Sequence, residues 1–102
     1  MTTVQLRRYD IAPGEMDLFV GWWRESIVGA REAYGFRVLF AFADDVNNEF
    51  VWAVAHDGDY AAADAAWNAS SERAAALAIA PSPARGHHLS NPKVVVGPWT
   101  MS

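Results

Sequence analysis

The side chains in this chain that could do chemistry are a histidine at a strand end, two adjacent arginines on a strand, and tryptophans on helical stripes. His56 follows the apolar run Phe50-Val-Trp-Ala-Val-Ala55 and precedes Asp57. An imidazole in that position can accept a proton or orient a substrate carbonyl, since small environmental shifts move its pKa across neutrality. The competing reading is a hydrogen-bonded residue that leads the strand into a turn. His87 and His88 could offer two metal ligands, yet neighbours on an extended segment point to opposite sides and no spaced His or carboxylate set accompanies them. No metal and no cofactor are expected, and His88 is instead a candidate hydrogen-bond donor to a ligand.

Tyr9 carries a phenol that needs a polar partner when buried, either a ligand or a backbone carbonyl. Arg7 and Arg8 sit on opposite faces of one strand, so a guanidinium points toward a side expected to be covered. It must pair with an acidic residue across the dimer or read a ligand anion, because an unpaired buried charge is too costly. The paired arrangement is the favoured expectation. Trp23 lies on an apolar helical stripe with Trp22 about 100° away, so one ring should line an edge, an interface or a cavity mouth. Trp67, beside Asn68, is a second candidate wall. There is no nucleophile elbow, no phosphate-cradling glycine loop and no metal-spaced cluster.

Composition narrows the partners. The 102 residues carry 8 Lys plus Arg against 12 Asp plus Glu, a net charge of -4, and that balance argues against a nucleic-acid backbone as a partner. Hydrophobic residues make up 52% and aromatics 13%, including five Trp. A chain this short buries little surface by itself, so the excess must go into a subunit interface or around a ligand. With no cysteine, disulfides and thiolate metal sites are excluded. No apolar run approaches a membrane span and no basic, apolar leader pattern opens the chain, so the expectation is a cytoplasmic protein without a membrane partner.

The elements follow from periodicity, and residues 1–102 read as one domain. Residues 4–11 alternate as a first strand, and Pro13-Gly14 breaks it. Met16, Phe19, Trp23, Ile27, Ala30 and Tyr34 recur at three- and four-residue steps, predicting a helix of about 20 residues that Gly35 caps. Strands follow at about 36–43 and 50–56, joined by the polar turn Asp44-Asp-Val-Asn-Asn-Glu49. The alanine-rich stretch from Asp59 to Ala80 predicts helix, with Asp59 as N-cap and a division near Asn68 and Ser70-Ser71. Residues 81–92 read as an irregular loop, and Val94-Val-Val-Gly-Pro-Trp99 as a last strand at an edge or strand end.

The order is βαββαβ, the ferredoxin-like α+β arrangement with both helices on one face of an antiparallel sheet. The runs 38–43 and 50–55 hardly alternate and are apolar on both faces. Four strands about 4.8 Å apart and about 20 Å long leave about 380 Å² of mostly apolar outer face, comparable to the largest patches monomers tolerate. A second copy is the natural cover.

Gln5-Leu-Arg-Arg-Tyr9, Pro13-Gly14, the Phe19-to-Trp23 region, Arg31-Glu-Ala-Tyr-Gly-Phe36 and Val51-Trp52 together resemble the NIPSNAP family of the dimeric α+β barrel superfamily. The resemblance spans nearly the whole chain and rests on the ordered set. It implies a ferredoxin-like monomer and a homodimer joined sheet to sheet. The superfamily includes cofactor-independent monooxygenases, haem-degrading oxygenases, lactone isomerases and stress-response barrels, so no reaction is implied, and no catalytic motif carries over. The expected function is binding or turnover of a small aromatic or hydrophobic molecule in a cavity between helices and sheet. His56 would accept a proton, Tyr9 and His88 would donate hydrogen bonds, and Trp23 and Trp67 would form the walls. The rival is a non-catalytic homodimeric interaction or stress-response protein, which a collapsed interior would favour.

Overall fold

A computed structural model of the chain describes residues 2–81, 86–89 and 93–94. Strand β1 (Thr3–Asp10) is central: β3 (Glu49–His56) pairs antiparallel along its whole length, with Arg7 opposite Trp52 and Tyr9 opposite Phe50. β2 (Phe36–Asp44) flanks β3 in the expected hairpin. The strand order β2-β3-β1-β4 is the ferredoxin-like one predicted from the order of elements.

The expected loop over 81–92 is corrected in part. Gly86–Leu89 forms β4, paired antiparallel with Arg7–Asp10 on the edge of β1 that β3 leaves open. That edge presents backbone donors and acceptors that need partners whatever the side chains are, so pairing overrode a composition that suggested a loop. Of the expected last strand, Val94 forms β5 together with Lys93 (Lys93–Val94), which pairs with Thr3–Val4; residues 95–99 lie outside the described residues.

The predicted first helix is interrupted. Helix α1 (Met16–Trp22) passes into a π-helical turn over Trp23–Val28 and then into α2 (Gly29–Ala33). The buried residues Phe19, Trp23, Ile27 and Arg31 recur at a strict step of four. A step of four outruns the 3.6-residue α turn, and widening the middle of the helix keeps the stripe against the sheet. Gly35 ends the segment at φ +86°, as expected, and its Cα faces the His56 ring so closely that a Cβ would lie 3.0 Å from Nε2. Helices α3 (Tyr60–Asn68) and α4 (Ser71–Ala78) divide where predicted. Asp59 and Ser70 cap them, their side-chain oxygens accepting the backbone N–H of Ala62 and Arg73.

Phe50, Trp52 and Val54 point from β3 into the helical layer and pack with Phe19, Trp23, Phe36 and Trp67. A bulge in β2 between Val38 and Phe40 explains why that run is apolar throughout. Val38 pairs with Val54 on the inner side, while Phe40 and Phe42, opposite Ala53 and Val51, are shifted to the outer face, where they stack 6.1 Å apart. They are 47% and 52% exposed and Leu6 is 36% exposed, so the outer face carries a bare apolar patch.

Candidate functional site

Between the sheet and the helices lies a cavity of about 580 Å³. Its floor is the inner face of β1 and β3, where strand alternation aims Arg7 and Tyr9 the same way and register sets Trp52 beside Arg7. Phe19, Trp22, Trp23, Ile27 and Arg31 form one wall, and Trp67 and the C-terminal part of α4, with Arg73 and Leu77, form the other. Four of the five tryptophans line this space. The aromatic surplus therefore goes largely into cavity walls.

The floor is polar and hydrogen-bonded. Arg7 donates from Nε to the Tyr9 hydroxyl (2.9 Å) and from an Nη to Gln5 Oε1 (2.8 Å), which also accepts from the Tyr60 hydroxyl (3.0 Å). Trp52 Nε1 donates to the Tyr9 hydroxyl at 3.2 Å. The inward Arg7 thus donates to two neutral acceptors on this floor. Arg8 takes the other face and pairs with Glu49 at 2.7 Å within the same chain. Burial pushes the Tyr60 phenol above its ordinary pKa.

Arg31 is 3% exposed. Its guanidinium carbon lies 4.9 Å from the ring centroids of Phe36 and Trp67 and 5.7 Å from that of Trp52. Burial first, and then the Arg7 charge, push its pKa down to about 10. This residue is absent from the set of site candidates read from the sequence. The signal was the step of four from Phe19 through Trp23 and Ile27 to Arg31; a stripe drawn through Ala30 and Tyr34 passed beside it.

Of the predicted site residues, Tyr9, Trp23 and Trp67 come together in the cavity. Trp22 joins them, its Nε1 donating to the Ala76 carbonyl at 2.9 Å, so both members of the tryptophan pair line the site. His56 is not among the lining residues: its Nδ1 accepts the Gly58 N–H at 2.9 Å and its ring meets that of Phe36 at 5.3 Å. His88 lies on β4 at the register position of Arg8, and its side chain is outside the described residues. Asn68 is exposed and reaches Asp64 rather than the cavity. Among the described residues no cluster of His, Cys, Asp or Glu could hold a metal ion, and no helix is long and apolar enough to cross a membrane.

An antiparallel sheet in the order β2-β3-β1-β4, covered on one face by helices with a cavity between the layers, defines a ferredoxin-like α+β protein. It is the fold of NIPSNAP proteins, as the residue pattern implied. An uncharacterized NIPSNAP domain protein from Burkholderia xenovorans superposes with a TM-score of 0.77 at 21% identity, over 92% of this chain and 94% of that one. A NIPSNAP family protein from Agrobacterium tumefaciens gives 0.78 at 13% identity, over 94% of each chain. A candidate antibiotic biosynthesis monooxygenase from Bacteroides thetaiotaomicron gives 0.74 at 17% identity, over 99% of this chain and 96% of that one. No protein-family model matches the chain, and no curated protein does either.

Proposed function

We propose that this is a NIPSNAP-like protein that binds a small aromatic or hydrophobic molecule in the cavity between helices and sheet. The observation that carries the reading is the cavity of about 580 Å³ with four tryptophans in its lining and a hydrogen-bonded polar floor. Its size falls in the range of small-molecule sites, and flat apolar walls with a few convergent polar groups suit an aromatic ring. An interaction protein whose aromatic residues served only packing would have closed this space, since interiors pack densely. The test is calorimetric titration with a panel of neutral and charged aromatics. Saturable binding that Trp67→Ala abolishes supports the reading; no binding by any member sinks it.

The homodimer belongs to the same proposal. The outer patch at Leu6, Phe40 and Phe42 suits a second copy, which would close two sheets face to face. A catalytic version, cofactor-independent oxidation or isomerisation, draws on the structural neighbour named as a monooxygenase candidate. In that version His56 is the proton acceptor, and its position at the end of β3, outside the cavity lining, makes binding the better supported half of the proposal.

A further inference from the structure

Buried against the cavity are donors that have no hydrogen-bond partner among the described residues. Arg31 Nε and Nη1 are buried without a hydrogen-bond partner among the described residues. The carboxylate oxygen paired with Nη1, Asp64 Oδ1, is 3.8 Å away, beyond hydrogen-bond length. Phe36, Trp52 and Trp67 cluster about the guanidinium. Such contacts stabilise the charge through the ring quadrupoles and leave the in-plane N–H groups unsatisfied. Trp23 Nε1, on the same cavity's wall, is also buried without a partner among the described residues. Arg7 and Arg73 line the space too, and no Asp or Glu is among the described lining residues. In a chain of net charge -4, three guanidiniums around one aromatic cavity are a local inversion of sign.

We propose that the cavity takes a small aromatic carboxylate, its anionic group on the edge of Arg31 and its ring among the tryptophans. This rests on the cavity being a ligand site. A planar guanidinium fork matches a planar carboxylate, and the bond gains strength in a dry setting. A buried cation whose nearest carboxylate, Asp64, stays beyond hydrogen-bond length is costly until a closer anion arrives, so that cost becomes selectivity for a charged ligand. Phosphate would leave the ring space among the tryptophans unfilled, which an aromatic carboxylate would use.

The experiment compares naphthoate, naphthamide and inorganic phosphate by calorimetry on the intact chain and on Arg31→Met, with Arg31→Lys as a second variant. Naphthoate should bind at least about tenfold more tightly than naphthamide. Arg31→Met should erase that preference while keeping naphthamide binding, and Arg31→Lys should restore part of it. Equal binding of acid and amide, or a preference that survives Arg31→Met, overturns the carboxylate assignment and leaves the aromatic cavity standing. Displacement of naphthoate by equimolar phosphate overturns it in favour of a phosphate site. Failure of both aromatics to bind overturns the cavity reading as well. The acid-against-amide comparison on the unsubstituted chain decides the matter even if Arg31→Met does not fold.

Discussion

The Arg31 guanidinium carbon lies 4.9 Å from the centroid of the Trp67 indole, so a charge from α2 is held against a ring from α3. With the Arg31–Asp64 ion pair, this contact joins the two helical segments. Trp67 is itself 2% exposed, with the Tyr34 ring at 5.7 Å. The same ring therefore serves the core and the site.

Trp67→Ala should cost about 3 to 5 kcal/mol, the range for a buried Trp truncated in a packed interior. Urea denaturation measures it, and binding of aromatics should fall in parallel. A loss below about 1 kcal/mol with binding intact would show that the ring is dispensable to both.

Phe42→Asp should separate subunits without unfolding them, because that side chain is 52% exposed on the outer face. Light scattering at micromolar concentration should then give the mass of one chain, 11.2 kDa, where the unsubstituted protein gives twice as much. Trp52→Asp, at 1% exposure on the inner face, should unfold the chain instead. An unsubstituted protein that is already monomeric would remove the dimer from the proposal.

Acid should expose the Arg37–Asp57 pair. Hydrogen bonds from Arg37 first, and then from Thr2, hold the Asp57 carboxyl at about 2. Its unfolded value is about 3.9, so the unfolded chain binds more protons between the two. The stabilisation is complete above about pH 3.9 and is lost as pH falls through the folded value. Asp57→Asn should flatten the stability curve in that window and leave the slope above about pH 5 unchanged. The change should be small, since exposed ion pairs contribute little.

His56→Ala should lower stability by about 1 kcal/mol, through the lost Gly58 hydrogen bond and Phe36 contact. Affinity for aromatics should be unchanged, because His56 is not among the residues that line the cavity. A variant of full stability that has lost turnover of a bound aromatic would instead assign proton transfer to this imidazole.

Local rules and hydrophobic period were enough for the sequence alone to determine the order of elements, the caps at Gly35, Asp59 and Ser70, and the inward aim of Trp23 and Trp67. Each depends on neighbours a few residues away, and periodicity reports which side is apolar. Only the tertiary structure decided that Gly86–Leu89 is a strand, since its partner, the open edge of β1, is 76 or more residues away along the chain. The same holds for the bulge that turns Phe40 and Phe42 outward, a register choice made against β3 rather than within β2. Arg31 shows the division best. Its step of four from Ile27 was on view in the sequence, but a charged residue on an apolar stripe becomes a site only where rings from β2, β3 and α3 close around it. That closure is long-range packing, which no local pattern encodes.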